Sequence, residues 1–87
     1  MYEILIKKRT LKSIQKMPEA IQRKMANLVE DLRDSGPHRR DWPNYSKLSK
    51  NQYHCHLSRS WVACWHHERN TVVIEVYYAG SRENAQY

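Results

Sequence analysis

The stretch Gln52–Ala79, which reads QYHCHLSRSWVACWHHERNTVVIEVYYA, indicates the fold class of this 87-residue chain. It contains three runs rich in β-branched and aromatic residues, and such runs predict strands. The runs are Gln52–Ser58, Trp61–His67 and Thr71–Ala79. Only two or three residues separate them, and breaks this short require antiparallel hairpins. The stretch therefore predicts three consecutive antiparallel strands.

The alternation of side chains predicts which face of these strands is buried. Apolar and aromatic residues occupy one side of each strand, and we expect that side to form the core. The other side carries titratable and aromatic groups, and we expect it to stay open. This alignment requires an odd-numbered hairpin loop within Ser58–Trp61, because a slip of one residue reverses the faces. The predicted core side is Tyr53, Cys55, Leu57, Trp61, Ala63, Trp65, Val72, Ile74, Val76 and Tyr78, and the predicted open side includes His54, His56, Cys64, His66, Glu75 and Tyr77.

The rest of the chain predicts two helices and two further strands. Tyr2–Ile6 and Ser46–Ser49 have strand-like composition. Apolar residues at helical spacing predict one helix before Pro18 and a second from Pro18 to Ser35, which a Gly-Pro pair ends. The predicted order is β-α-α-β-β-β-β, an α+β fold in which two helices pack on one face of a curved antiparallel sheet. We expect residues 1–87 to form a single domain.

Composition and charge narrow the class of partner. The formal net charge is +6, and a surplus of this size favours an anionic partner. Nucleic acid is the first candidate, an acidic protein the second and a membrane surface the third. No apolar run approaches the ~20 residues of a membrane span, and Met1–Arg9 lacks the pattern of a signal peptide. We therefore expect a cytoplasmic protein in which Cys55 and Cys64 are reduced thiols.

Candidate site residues follow from the chemistry of RNA cleavage. The nucleophile is the substrate's own 2′-hydroxyl, so the protein must supply a base, an acid and cations, and we expect neither a metal nor a cofactor. His54 and His56 share one face of a strand and can transfer protons near neutral pH. Arg82 can clamp phosphate oxygens, and Tyr87 can stack on an unpaired base. Further phosphate contacts are predicted for Lys47, Lys50 and Arg59.

Two other interpretations of the histidine-rich face remain open. Zinc is one, because His54, His56, Cys64 and His66 are suitable ligands that could meet across two paired strands. No C-x-x-C pair accompanies them. The other interpretation is that each histidine is an ordinary solvated strand residue. The position of two histidines at spacing two on a non-core face of a basic protein gives a catalytic pair and that alternative about equal support.

Two motifs resemble those of the RelE family of bacterial and archaeal toxins. They are Tyr53-His-Cys-His-Leu57 and Tyr78-Ala-Gly-Ser-Arg-Glu-Asn-Ala-Gln-Tyr87. The similarity covers nearly the whole chain, including the Lys-Met-Pro joint between the predicted helices. It implies an endoribonuclease toxin that enters the ribosomal A site and cuts the mRNA there. It also implies a co-expressed acidic antitoxin that neutralises the toxin.

The resemblance also implies roles for individual positions. Arg82 matches the family's phosphate-stabilising arginine, and Tyr87 matches the tyrosine that stacks on the RNA and assists catalysis. The two predicted catalytic histidines occupy positions at which the best-known members carry lysines. Those members also have an arginine early in the next strand, where this sequence has Val62. Arg59, in the preceding turn, is the candidate for supplying that missing charge.

Two alternative functions share the fold or the charge. The related ParE toxins have this fold and inhibit DNA gyrase instead of cutting RNA. Arg82 and Tyr87 favour the RNase branch, because a gyrase inhibitor needs neither a phosphate clamp nor a stacking residue. A non-catalytic RNA- or ribosome-binding module would account for the charge but not for the two-histidine face. The predicted partners are thus mRNA on the ribosome and an acidic antitoxin, without a membrane or a small-molecule cofactor.

Overall fold

The structure, a computed structural model, describes residues 1–85. Within this range the chain forms two helices and five strands in the predicted order, and the α+β class is confirmed. The strands join in one open sheet in the order β1-β5-β4-β3-β2. The bounds are β1 (Glu3–Ile6), α1 (Lys8–Gln15), α2 (Glu19–Ser35), β2 (Ser46–Lys47), β3 (Gln52–His56), β4 (Trp61–His67) and β5 (Val73–Ser81).

The edge strand β1 makes the sheet mixed. Strands β2 to β5 form the predicted antiparallel meander. In contrast, β1 runs parallel to β5, with Glu3 opposite Val73 and Ile6 opposite Val76. A parallel pair needs a long connection, and the chain supplies it with both helices and the three strands between β1 and β5. This parallel edge is the one departure from the wholly antiparallel sheet that we predicted.

Helix α2 begins and ends where the sequence predicts. Pro18 is its N-cap residue. Gly36 follows its last turn with φ of 91°, a backbone conformation that glycine adopts without strain. A Cβ atom on Gly36 would lie 2.9 Å from the Tyr2 ring, so the position also excludes larger residues. The Arg39 guanidinium donates to the carbonyl oxygens of Gly36 at 3.1 Å and Ser35 at 3.4 Å. A cation at the C-terminal end of a helix interacts favourably with the helix dipole.

The core lies between the two helices and one face of the sheet. Met25, Leu28 and Leu32 form the buried face of α2. They meet the predicted core side of the sheet, whose centre is the fully buried Trp65. The Trp65 indole N–H donates to the carbonyl oxygen of Pro37 at 3.0 Å, which satisfies its polar atom and connects β4 to the segment after α2. Neither described helix has the length and apolar character that crossing a membrane requires.

The hairpin between β3 and β4 sets the faces as predicted. Its loop is the odd-numbered segment 58–60, because the Leu57 N–H donates to the Trp61 carbonyl oxygen at 2.8 Å. The register then places His54 opposite Cys64 and His56 opposite Val62. Residues that face each other across paired strands lie on the same side of a sheet. The two histidines therefore lie on the sheet face opposite the helices, as expected.

A β-bulge changes the predicted faces of β5. Trp65 pairs with Val76 and the preceding Cys64 pairs with Tyr78, which leaves Tyr77 without a partner in β4. One extra residue shifts the alternation of everything that follows it. Tyr78, which we predicted in the core, therefore lies on the open face. The next residue, an alanine, is fully buried in its place.

Two other predicted core residues are less buried than expected. Val72 is 54% exposed. Strand β5 begins at Val73 instead of at the predicted Thr71, so Val72 lies in the segment before the strand. Trp61 is half-buried and packs against the edge of the core. Strand boundaries also shift slightly, since β2 ends at Lys47 and β3 ends at His56. These differences occur at strand ends, where pattern-based boundaries are least precise.

We expect Leu28→Ala to lower the free energy of unfolding by about 2–5 kcal/mol, because it leaves a cavity in a fully buried site. The matched control is Leu11→Ala on α1, where the leucine is 44% exposed, and we expect a change within about 0.5 kcal/mol. Urea unfolding of both variants measures the difference. Equal losses in the two variants would contradict the assignment of Leu28 to the core.

Candidate active site

Cross-strand pairing arranges the side chains of the open face in rows. Each row crosses the sheet perpendicular to the strands, because residues in register share a face. Two neighbouring rows each hold one of the predicted catalytic histidines. The first row contains Ser46, His54, Cys64 and Tyr78, and the second contains His56, Val62 and Gly80.

His54 is the more buried of the two histidines, with 8% of its surface exposed. Its Nδ1 lies 2.9 Å from the Ser46 hydroxyl oxygen, which orients the ring from the neighbouring strand. Burial lowers the pKa of His54, and the nearby His56 lowers this pKa further. A hydrogen bond to the Ser46 backbone acts in the opposite direction. The net lowering of its pKa keeps His54 neutral at pH 7, the state in which an imidazole accepts a proton.

His56 lies beside His54, with 5.8 Å between the ring centres and 64° between the ring planes. The side-chain amide of Asn44 lies 3.4 Å from Nδ1 of His56. Because an amide N–H donates, Nδ1 accepts, and the neutral ring carries its proton on Nε2. Asn44 has φ of 52°, a left-handed conformation that asparagine tolerates. Asn44 thus contacts Nδ1 of His56 and orients the ring.

The bulged Tyr77 brings a phenol to the same face. Its hydroxyl is hydrogen-bonded to the Cys64 thiol, which belongs to the first row. Burial raises the pKa of Tyr77 to about 12 and the pKa of Cys64 to about 11. Both groups are therefore protonated at neutral pH, and the thiol is not a nucleophile there. The backbone carbonyl oxygen of Tyr77, which follows the last β1–β5 pair of Ile6 and Val76, accepts a hydrogen bond from Thr10 of α1 at 3.3 Å.

The segment after β5 places Arg82 next to the β3–β4 hairpin. The Arg82 N–H donates to the Ser60 carbonyl oxygen at 2.8 Å. Before it, the Tyr78 hydroxyl donates to the Ser81 carbonyl oxygen at 2.6 Å. The Tyr78 ring passes over Gly80, where a Cβ atom would lie 3.0 Å from the tyrosine hydroxyl. This close approach explains the glycine and holds the chain that leads to Arg82.

The three other predicted phosphate contacts are divided between two parts of the surface. Arg59 is exposed in the hairpin loop, next to the Ser60 carbonyl that binds Arg82. Lys47 is instead opposite Tyr53, and its Nζ lies 5.9 Å from the centre of that ring, on the helix side of the sheet. Lys50 follows in the turn before β3 and lines the same cleft as Lys47. The structure does not bring these two lysines to the histidine rows.

Tyr87, the remaining predicted site residue, lies outside the described residues. Among residues 1–85, no group of three or more histidine, cysteine, aspartate or glutamate side chains is placed to hold a metal ion. His66 lies in a third row, 3.4 Å from the Glu68 carboxylate. The Cys64 thiol, the other candidate zinc ligand on β4, is hydrogen-bonded to the Tyr77 hydroxyl. The four candidate zinc ligands do not converge.

Sequence reasoning missed two residues that position the histidines and undervalued a third. Ser46 and Asn44 orient the imidazole rings, and Tyr77 was assigned to the open face without a role. The register of β2 against β3 would have revealed Ser46, because the loop of three residues at 49–51, closed by the Leu48 N–H bond to the Gln52 carbonyl oxygen, places Ser46 opposite His54. Asn44 precedes β2 in a loop whose conformation has no periodic signal, and the structure alone reveals it.

The lowered pKa of His54 predicts how stability depends on pH. Between the folded-state pKa and the ordinary value of 6.5, the unfolded chain binds more protons than the folded one. Stability is therefore full above about pH 6.5 and falls as the pH drops below it. Urea unfolding between pH 7.5 and pH 5 should show a smaller drop for His54→Gln than for the wild type. Lys12→Gln, on α1, is the control, and a His54→Gln slope equal to that of the wild type would contradict the prediction.

Comparison with known proteins identifies the fold. No protein-family model matches the sequence, and no curated protein matches it. Solved structures do match over nearly the whole chain. The RelE of an archaeal RelE–RelB complex from Pyrococcus horikoshii OT3 is 18% identical, with a TM-score of 0.76 and coverage of 97% of this chain and 98% of that one. The isolated E. coli RelE toxin is 17% identical, with a TM-score of 0.75 and coverage of 99% and 89%.

A third match is a complex of the toxin YoeB. The YoeB–YefM complex from Staphylococcus aureus contains a chain that is 12% identical to this one, with a TM-score of 0.70 and coverage of 100% and 99%. The likeness lies in the path of the backbone, since fewer than one residue in five is identical. The chain has the fold of the RelE toxins.

Proposed function

We propose that the chain is a RelE-type toxin of a toxin–antitoxin system that cuts mRNA on the ribosome in the cytoplasm. One observation carries the proposal. Two adjacent histidines, each oriented by a polar neighbour, lie on the open face of a RelE fold. The net charge of +6 supports an RNA substrate. A fold alone does not specify a function, so the proposal depends on this pair of side chains.

The two histidines have complementary roles in the proposed reaction. His54, held neutral by burial, accepts the proton of the 2′-hydroxyl as its oxygen forms a bond to phosphorus. The bond from phosphorus to the 5′-oxygen breaks, and His56, in its imidazolium form, gives its Nε2 proton to that leaving oxygen. The products are a 2′,3′-cyclic phosphate and a 5′-hydroxyl. After one turnover the two imidazoles have exchanged protonation states, and solvent restores them.

Cations near the second row stabilise the charge that develops on the phosphate. Arg82 and Arg59 come from neighbouring segments at this end of the sheet. Val62, an apolar residue, is fully buried between His56 and Gly80 in its row. This row therefore carries no cation of its own at that position. We propose that Arg82 stabilises the attacked phosphate and that Arg59 supplies the charge that Val62 lacks. Tyr87 is proposed to stack on the substrate base.

An acidic antitoxin is the proposed protein partner. The solved relatives named above include complexes with RelB and YefM. In this chain, Arg59 and Arg82 are exposed beside a face with two titratable rings, and an acidic segment would match this charge. Opposite net charges speed the encounter, and buried contacts slow dissociation.

Alanine substitution of the histidines tests the catalytic proposal. We expect His54→Ala or His56→Ala to slow single-turnover mRNA cleavage on stalled ribosomes by about 10²–10⁴-fold, with little change in ribosome affinity, because proton transfer matters only in the transition state. Since burial lowers the pKa of His54, the acidic limb of the pH–rate profile should lie below pH 6.5 and vanish in His54→Ala.

His66→Ala is the matched control, because this histidine lies on the same face but in a different row and pairs with Glu68. It should cut mRNA at the wild-type rate. Thermal melting of all three variants separates lost chemistry from lost folding. Full activity in both His54→Ala and His56→Ala would refute the proposed mechanism. If mRNA stays intact and the supercoiling activity of gyrase is inhibited, the chain is a ParE-like gyrase inhibitor instead.

The antitoxin proposal has its own test. We expect the product of an adjacent short reading frame to bind the chain with a Kd well below 1 μM and to stop growth arrest when the two are co-expressed. Arg59→Gln/Arg82→Gln should weaken this binding, whereas Lys12→Gln/Lys24→Gln, with the same loss of charge on the helices, should not. Titration calorimetry measures both affinities. Absence of binding at micromolar concentration would count against a dedicated acidic antitoxin.

A further inference from the structure

A second cationic site lies on the helix side of the sheet, at the end away from Arg82. It is a cleft of about 350 Å³, within the size range of small-ligand sites. We refer to it as the basic cleft. Its walls come from the start of the chain, the loop after α2, strand β2 and the turns before β3 and before β5. The basic cleft is lined chiefly by Tyr2, His38, Lys47, Lys50, His67 and Arg69.

The charge of the basic cleft is one-sided. None of its lining residues is an aspartate or a glutamate. Lys47, Lys50 and Arg69 are exposed, and within residues 1–85 none of them has a carboxylate within ion-pair distance. Three cations, two from the β2–β3 hairpin and one from the turn between β4 and β5, therefore line the cleft without a counter-charge. Such a concentration of like charge is unfavourable by itself and becomes favourable when an anion binds.

The aromatic walls of the basic cleft are fixed in place. His38 packs edge-on against Tyr53, with 5.3 Å between ring centres, and its Nδ1 lies 3.3 Å from the Tyr45 hydroxyl. Tyr2 packs edge-on against His67 at 5.6 Å. The Nε2–H of His67 donates to the Thr71 carbonyl oxygen at 3.0 Å. A site whose walls are already ordered loses little entropy on binding.

The surroundings of His38 report the electrostatic potential of the basic cleft. Burial lowers the pKa of His38. Lys47 from β2, His67 from β4, and Arg40 and Arg39 from its own loop all lower this pKa further. Asp41 pairs with Arg39 at 3.8 Å instead of approaching the ring. Lys47, Arg40 and Arg39 thus all act on His38 as positive charges, and a bound anion would raise the pKa of His38.

We propose that the basic cleft binds the phosphate backbone of RNA, as a second anchor separate from the histidine rows. This inference rests on the proposed function, because it extends the RNA contact of the same toxin. RNA fits better than an acidic peptide, because the cleft combines cations with aromatic rings, on which unpaired bases can stack. The exposed apolar side chains of the described residues, Met1, Leu5, Leu11, Val72 and Val73, line none of the cleft.

The basic cleft and the histidine rows are close enough for one RNA chain to reach both. Two separate RNA chains could also occupy them. Tyr53 and His56 are three residues apart on β3, which is about 10 Å along the strand. The short edge strand β2 is all that separates the two faces at this side of the sheet. The anchoring phosphates belong to the mRNA itself or to ribosomal RNA, and both sources present the same chemistry.

Two triple variants with the same net charge test the proposal. The first, Lys47→Gln/Lys50→Gln/Arg69→Gln, removes the cations of the basic cleft. The second, Lys12→Gln/Lys16→Gln/Lys24→Gln, removes exposed cations of the helices. The probe is a short single-stranded RNA with 2′-O-methyl groups, which cannot be cut. Fluorescence anisotropy measures its affinity across salt concentrations, and NMR of the imidazole protons follows the pKa of His38 with and without RNA.

We expect the first variant to weaken RNA binding on the order of tenfold and to flatten the log–log salt dependence by about 2, since each lost phosphate contact removes ~0.7 from the slope. RNA should raise the pKa of His38 in the wild type and in the helix variant but not in the cleft variant. Equal losses in both triple variants would overturn the proposal, because net charge alone would explain them. A poly-glutamate peptide that raises the His38 pKa where RNA does not would also overturn it.

Ribosome binding distinguishes the source of the phosphates and keeps the two proposals separate. A cleft variant that binds empty ribosomes weakly identifies ribosomal RNA, whereas a defect limited to mRNA-loaded ribosomes identifies mRNA. If the cleft variant matches the wild type on both kinds of ribosome, the proposal fails. If the wild type binds RNA through the cleft but never cuts mRNA, the proposed function fails and the cleft stands.

Discussion

A single extra residue in β5 determines which side chains the open face presents. Tyr77 has no partner in β4, and the register on either side of it differs by one residue. The bulge allows both Val76 and Ala79 to be buried against the helices, and it places two consecutive tyrosines on the open face. Beyond the last β1–β5 pair, the Thr10 hydroxyl donates to the carbonyl oxygen of Tyr77 and connects helix α1 to β5.

The histidine pair depends on neighbours that are remote in sequence or lie outside regular structure. Ser46 orients His54 from the edge strand, and Asn44 orients His56 from the preceding loop. Burial and mutual repulsion keep His54 neutral, so two chemically identical side chains acquire different properties. The same separation of roles by environment allows pairs of like groups to act as acid and base in a single site. Arg59 and Arg82 are exposed at the hairpin beside these rows.

The two faces of the sheet carry different side chains because successive residues of a strand point to opposite faces. Ser46 belongs to the histidine side and the next residue, Lys47, belongs to the helix side. Strand alternation therefore separates Lys47 from the histidine rows. One surface carries titratable rings suited to proton transfer. The other carries exposed cations around ordered aromatic walls, which suit the binding of a backbone phosphate rather than its cleavage.

The sequence by itself determined the element order, the helix ends and the faces of β3 and β4, because periodicity, Pro18 and Gly36 act locally. It also placed His54 and His56 together on the open face. Only the tertiary structure decided the parallel pairing of β1, since the partner of an edge strand leaves no local pattern. The bulge at Tyr77 and the location of Lys47 and Lys50 likewise depend on contacts between distant segments. Propensity and alternation describe a strand relative to itself, whereas a site is made of residues from several elements, whose relative positions packing alone fixes.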